Sequence, residues 1–264
     1  MVKTVDYLII GGGIIGINLA LTLKRRHPES SVCVIDKEAR LGMHGSGRNS
    51  GVIHSGFYYS ANSLKARFTR DGNSALKDFI RERKLPLNEC GKIVVAKDET
   101  ELPVLDELLS RGRANGVELQ KITAEEAREI EPRVKTCQNA LWSPNTATSD
   151  PILVLEAFRQ EAQAQGIELM MGQAFQKCEG NRVWSSSEVF DVGYVVNAAG
   201  LYADRIAHAF GFGQQYAIFP FKGLYLKSDE PAGSFRTNIY PVPDLRNPFL
   251  GVHVTVTVDG HHKI

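Results

Sequence analysis

The chain has 264 residues, 43% of them hydrophobic, and 31 Lys+Arg against 30 Asp+Glu give a formal net charge of +1. That suffices for a packed core in one large domain or two interleaved ones, and a pI near 7.7 provides no basic field of the kind nucleic acid requires. Cys33, Cys90, Cys137 and Cys178 are scattered and form no C-x-x-C, which excludes a cysteine-rich zinc site or disulfide frame and points to a reducing compartment.

The first stretch, Thr4 to Gly16, reads as a strand, a tight turn and the start of a helix. Gly11, Gly13 and Gly16 match G-x-G-x-x-G, and a second strand, Ser31 to Ile35, ends in Asp36. At this spacing Gly11 permits the turn, Gly13 lets backbone approach a pyrophosphate, and Gly16 lets the helix pack on the sheet. The helix N-terminus offers unpaired N–H groups to phosphates, and an acid at the tip of the second strand can accept hydrogen bonds from a ribose diol. The competing reading is a signal peptide or membrane anchor. Consecutive glycines, the absence of a small-residue cleavage site, and the strand ending in Asp36 argue against it. Elsewhere no apolar run is long enough to span a bilayer. The expected location is cytoplasmic, with peripheral attachment to the inner membrane left open.

A loop of small residues from Gly42 to Gly51 follows, and runs into Val52-Ile53-His54 and the aromatics Phe57, Tyr58 and Tyr59. A flexible connection is the plain reading of such a loop; aromatics and a histidine crowded beside it suggest a site wall. Asn62 to Arg83 reads as an amphipathic helix with Leu64, Phe68, Ala75, Leu76, Phe79 and Ile80 on the buried face. Next come a strand at Lys92 to Ala96, a helix from Glu99 to Asn115, a strand at Val117 to Ile122, and a helix opened by a Thr123/Glu126 capping box. Asp150-Pro151 starts another helix, closed by Gly166, before strands at Ile167 to Met171, Ala174 to Cys178 and Arg182 to Ser185. Tyr194 to Gly200 repeats the opening theme, an apolar strand ending in Asn197-Ala198-Ala199-Gly200, with a helix from Tyr202 to Phe210. Strands are expected at Phe219 to Leu226, Ile239 to Pro243, and Phe249 to Val258. Asp259-Gly260 then calls for a returning strand, with only His261 to Ile264 left to form it, so the chain reads as truncated at its C-terminus. The adjacent His261 and His262 read as solvent-exposed, and no metal site is expected.

The opening motif with Asp36, the run Gly47 to Gly56, Ser63 to Ala66, Asn197 to Asp204, and the segments Tyr240 to Pro243 and Phe249 to His253 together resemble the L-2-hydroxyglutarate oxidase/dehydrogenase group of D-amino-acid-oxidase-like flavoproteins. The likeness extends over essentially the whole chain. It implies FAD rather than NAD, a choice the glycine motif cannot make alone. It implies an α/β fold, with a Rossmann-like FAD-binding domain (1–84 and 141–212) and a mostly antiparallel β-sheet substrate domain (85–140 and 213–264), incomplete at the C-terminus. Two positions depart from the group's pattern: the loop reads His44-Gly45-Ser46-Gly47-Arg48-Asn49-Ser50, and Lys222 stands where the group often has arginine. Lysine lacks the guanidinium fork that grips a carboxylate.

The implied reaction is hydride transfer from a small 2-hydroxy acid, L-2-hydroxyglutarate, to flavin, giving 2-oxoglutarate. The electron acceptor is expected to be oxygen or a quinone. The expected cofactor contacts are Gly11, Gly13, Ile15, Gly16, Asp36, Lys37, Ser46, Arg48, Asn49, Ser50, Ala199 and Gly200. His54 is the first candidate base, because an imidazole pKa near 6.5 suits proton removal; a hydrogen bond to loop or flavin is its simpler role. His253 is the second candidate, against plain exposure. Lys222, Tyr225 and Tyr240 are the expected substrate contacts, although a lysine among aromatics also snorkels. The alternatives are an amine- or glycerol-3-phosphate-oxidising flavoenzyme, or a catalytically impaired FAD-binding fragment.

Overall fold

The computed structural model describes residues 2–244 and 251–264. Its contacts form two compact units, Met1–Asn49 with Pro151–Gly223, and Ser50–Asp150 with Leu224–Ile264. The first unit opens with β1 (Val2–Ile10), α1 (Ile14–Arg26) and β2 (Val32–Asp36). The second follows with β3 (Val52–Ile53), α2 (Leu64–Glu82), β4 (Leu87–Asn88), β5 (Lys92–Val95), α3 (Leu102–Ala114), β6 (Gln120–Thr123), α4 (Ala124–Ile130), β7 (Asn139–Ser143) and β8 (Ala147–Ser149). The chain returns to the first unit for α5 (Pro151–Ala164), β9 (Glu168–Met171), β10 (Phe175–Glu179), β11 (Arg182–Ser185), β12 (Val189–Asn197) and α6 (Ala203–Ala209). It closes the second with β13 (Asn238–Pro241), β14 (Thr255–Val256) and β15 (His262–Lys263).

The first unit is a six-stranded sheet ordered β10-β11-β12-β1-β2-β9, in which β12, β1, β2 and β9 run parallel. Its central strands are apolar on successive residues because both faces are covered. Leu8, Ile10, Cys33 and Ile35 pack on one side with Ile206 of α6. Ile9 and Val34 pack on the other with Ile17 and Leu21 of α1 and Leu155 of α5. The strand order reverses at β1, whose carboxyl end therefore opens a crevice between its neighbours.

The second unit holds a four-stranded sheet ordered β13-β5-β7-β6, a three-stranded sheet β3-β8-β4 and the pair β14-β15. Pairings are antiparallel except between β13 and β5. The Thr123 capping box forms as expected, with Glu126 answering the Thr123 amide.

Several expectations are corrected. Residues 50–84 and 141–150 fall in the second unit, and 213–223 in the first. Asn73 explains the former, since its Nδ2 donates to the carbonyls of Ile53, His54 and Asn145 at 3.0–3.2 Å. Asp204 explains the latter, accepting the Ile218 amide at 2.9 Å. The buried face of α2 is Ala66, Asn73, Lys77 and Ile80, whereas Leu64 and Phe68 stand more than 60% exposed. Polar anchors there outrank the apolar stripe. Phe219 to Leu226 forms no strand; the first pairing is an isolated bridge between Lys227 and Lys263. The expected strand from Phe249 to Val258 begins outside the described residues and shrinks to Thr255–Val256. The last four residues do supply the return, with Thr255 opposite Lys263 and Val256 opposite His262. His262 is accordingly buried, edge-on to Phe235 at 4.6 Å.

Candidate functional site

In the first unit the site grows out of the turn after β1. The Gly11 amide donates to Ile35 O at 2.8 Å and the Ala198 amide to Ile10 O at 2.9 Å, which ties three strand ends together. Gly11 has φ +114° and any Cβ there would lie 2.3 Å from Ala198 O. A Cβ on Gly16 would lie 1.9 Å from Gly11 O, so the helix start and the turn are in backbone contact. Both glycines are thus buttresses. Gly13 is the N-cap of α1 and has no side chain to satisfy the amides behind it. Ser46 reaches in from the small-residue loop, and its Oγ accepts the Ile14 amide at 2.9 Å.

The Asp36 carboxylate accepts the Gly12 amide at 2.8 Å through Oδ2 and the Glu38 amide at 2.9 Å through Oδ1. Beside it opens a cavity of about 670 Å³, within the usual range for a ligand cleft. Gly13, Ile15, Asp36, Lys37, Ser46, Ala199 and Gly200 line it, bringing together seven of the expected cofactor contacts. Arg48 is exposed, and Asn49 Nδ2 donates to the carbonyls of Gly45 and Ser46, shaping the loop. Ser50 lies in the second unit, its Oγ accepting the Val52 amide at 3.3 Å.

The cavity also presents residues that sequence reasoning passed over. His44 Nε2 lies 2.7 Å from Glu38 Oε1, and Lys37 Nζ sits 4.7 Å from the centre of the Tyr202 ring. Arg205 approaches the same ring at 5.4 Å. Hydrogen bonds from Lys37 and His44 pull the Glu38 carboxyl down to about 2. Their sequence signal was proximity: Glu38 follows Asp36-Lys37, and Tyr202 stands two residues after Gly200. This donor set fits a dinucleotide. A Cβ on Gly13 would meet Ser46 Oγ at 2.9 Å, so bare backbone is needed where the loop closes on the helix start, and the positive end of α1 there suits a diphosphate.

In the second unit His54 and His253 are brought together around Tyr240. The Tyr240 ring is 2% exposed, edge-on to His54 at 6.3 Å and tilted against His253 at 4.2 Å. The centre of this cluster is Lys92, which sequence reasoning assigned only to a strand. Lys92 is fully buried, and its Nζ lies 3.5 Å from His54 Nδ1, at the outer limit of a hydrogen bond. Burial pushes the Lys92 amine down to about 7. Burial, then Lys92 and His253, push His54 down to about 3, well below the value near 6.5 that made it attractive as a base. A lysine heading the strand Lys92-Ile93-Val94-Val95 carries no local sign of this role. Lys222 belongs to the first unit and is exposed, and in the second Tyr225 is 46% exposed with Lys263 Nζ 4.9 Å from its ring centre. Of the expected substrate contacts, Tyr240 alone joins the histidines. Among the described residues no group of His, Cys, Asp and Glu could hold a metal ion, and no helix is long and apolar enough to cross a membrane.

Comparison with known proteins places these features in context. The family model described as FAD dependent oxidoreductase (DAO) matches residues 6–264. A mitochondrial L-2-hydroxyglutarate dehydrogenase of Nematostella vectensis is 37% identical over 97% of this chain and 60% of its own length. That of Homo sapiens is 37% identical over 97% of this chain and 59% of its own length. A bacterial L-2-hydroxyglutarate dehydrogenase, from Indibacter alkaliphilus, is 36% identical over 96% and 65% respectively. The chain therefore spans about 60% of the length of the curated relatives it matches. Among solved structures, glycine oxidase from Geobacillus kaustophilus superposes with a TM-score of 0.83 at 22% identity, covering 99% of this chain and 70% of that one. L-alpha-glycerophosphate oxidase from Mycoplasma pneumoniae with FAD bound gives 0.80 at 24% identity, covering 99% and 71%. These two likenesses speak to fold.

Proposed function

The chain belongs to the DAO family of FAD-dependent oxidoreductases, and from that premise we propose that it oxidises L-2-hydroxyglutarate to 2-oxoglutarate. Its cofactor is FAD, and the cradle of the first unit suits the adenosine diphosphate part. The observation that carries the substrate is 36–37% identity, over almost the entire chain, to proteins named L-2-hydroxyglutarate dehydrogenase.

When bound, FAD supplies the acceptor for the hydride leaving the substrate α-carbon. The remaining work belongs to side chains. His54 takes the hydroxyl proton on a ring nitrogen. With its pKa lowered to about 3 it is uncharged at pH 7 and keeps a lone pair for that proton. A bound dicarboxylate raises its proton affinity again, because negative charge nearby favours the imidazolium. Tyr240 and His253 form the wall that orients the substrate. Tyr225 is assigned to a substrate carboxylate, for which its exposure leaves it accessible. Oxygen or a quinone takes up the electrons. The four free cysteines are in keeping with a reducing compartment such as the cytoplasm.

The test is an anaerobic titration of the purified yellow protein with L-2-hydroxyglutarate, followed by flavin absorbance. Bleaching by this enantiomer but not by glycine or glycerol 3-phosphate is expected. Bleaching by either of those compounds, with L-2-hydroxyglutarate inert, overturns the assignment. A yellow protein that none of them bleaches identifies a cofactor-binding unit without this activity.

A further inference from the structure

Lys92 is a buried cation with no acidic partner among the described residues. It heads β5, opposite Asn238 of β13 and Ser143 of β7, and its side chain has no solvent exposure. Its Nζ lies 4.8 Å from the ring centre of Phe57, 4.6 Å from Tyr58 and 4.8 Å from Tyr240. His54 Nδ1, at 3.5 Å, is the polar atom facing it. An aromatic cage softens the cost of a buried ammonium but does not remove it. A methionine would fill the same space without that cost, so packing does not account for the amine.

We propose that Lys92 is a positioning residue that selects the tautomer of His54: uncharged, it accepts the Nδ1 hydrogen and leaves Nε2 as the basic nitrogen; charged, it donates to Nδ1 and leaves Nε2 carrying the hydrogen. The inference rests on the reading of His54 as the base. A neutral imidazole has one donor and one acceptor nitrogen, and the bond made by one sets the state of the other. An ammonium only donates, whereas an amine is a strong acceptor and a poor donor. The change of Lys92 between these states therefore turns His54 over. It also withdraws a positive charge from beside the ring, which makes Nε2 more basic just when its lone pair is free.

The groups around this pair support the assignment. Burial holds the Tyr58 and Tyr240 hydroxyls above their usual range, so both stay neutral as Lys92 titrates. Burial likewise raises the Cys90 thiol on the approach to β5. His253 lies against Tyr240, and its charge bears on His54. With Lys92 lowered to about 7, its change of state falls at neutral pH. His54, lowered to about 3, stays uncharged across the same interval, so tautomer and not charge is what changes there.

Long-range ¹H–¹⁵N NMR of the histidine-labelled chain from pH 5.5 to 9 tests this, with the His54 signal assigned by its loss in His54→Gln. The expected result in the wild type is a change from the Nε2–H to the Nδ1–H pattern, centred near pH 7 as Lys92 titrates. A single tautomer throughout overturns the proposal. In Lys92→Arg the side chain stays charged, so His54 is expected to remain Nε2–H at every pH and flavin reduction to slow at least tenfold. A wild-type tautomer change persisting in Lys92→Met or Lys92→Arg also overturns it. The wild-type titration needs no substrate, and His54→Gln enters it only to assign the signal. A tautomer change in a chain that L-2-hydroxyglutarate does not bleach overturns the substrate reading alone.

Discussion

The Asp36 carboxylate accepts the Gly12 amide at 2.8 Å, which makes the end of β2 and the glycine turn after β1 one hydrogen-bonded unit. Its second oxygen takes the Glu38 amide at 2.9 Å. One side chain thereby shapes both walls of the cavity. Asp36→Ala is expected to weaken FAD retention about tenfold to a hundredfold, the equivalent of ~1.5–3 kcal/mol for losing hydrogen bonds to a charged group. Fluorescence titration of the apoprotein with FAD measures it. Unchanged affinity would show that the carboxylate serves the turn alone.

Gly16 tolerates no side chain, because its Cβ would lie 1.9 Å from Gly11 O. Gly16→Ala must push α1 away from the turn, and the cost of such overpacking is about 1–3 kcal/mol. Gly45 has open space around it and serves as the control. Thermal unfolding should show a lower midpoint for Gly16→Ala and little change for Gly45→Ala. Equal midpoints would refute the contact.

Asn73 holds the backbone on which His54 sits, donating to Ile53 O, His54 O and Asn145 O. Asn73→Ala leaves those carbonyls short of a donor in a buried place. Urea unfolding should report a loss of about 1–3 kcal/mol, the usual penalty for an unsatisfied buried group. Phe68→Ala, at a side chain 61% exposed, should stay within about 0.5 kcal/mol of wild type. Reversal of that order would restore the apolar stripe as the true buried face of α2.

Lys92 makes stability depend on pH with a definite sign. Its folded pKa, about 7, lies below the unfolded value near 10.5, so the unfolded chain binds the extra proton between these limits. Stability from this group therefore rises with pH across that window, and the burden of the buried ammonium is full below pH 7. Lys92→Met should be more stable than wild type at pH 6–7 by up to several kcal/mol, with the gap closing toward pH 10. Chemical denaturation at a series of pH values measures the difference. A constant gap would mean that Lys92 does not titrate in the folded chain.

The sequence by itself determined whatever depends on local spacing. Gly11, Gly13, Gly16 and Asp36 declared a strand, turn, helix and strand, since each glycine answers a steric demand from atoms a few residues away or on the neighbouring strand. The Thr123/Glu126 cap and the helix from Pro151 were legible for the same reason. Only the tertiary structure decided which polar residues are buried and what they face. Asn73 and Lys77, not Leu64 and Phe68, point inward from α2, because carbonyls of β3, its following loop and Asn145 need donors there. Lys92 reads locally as the ordinary start of a strand. The parallel pairing of β13 with β5 sets Tyr240 on its face of the sheet, and the chain after β3 brings His54 to its amine. Periodicity records the face each element offers; it carries no information about which distant residue arrives opposite, and that meeting made Lys92 part of the site.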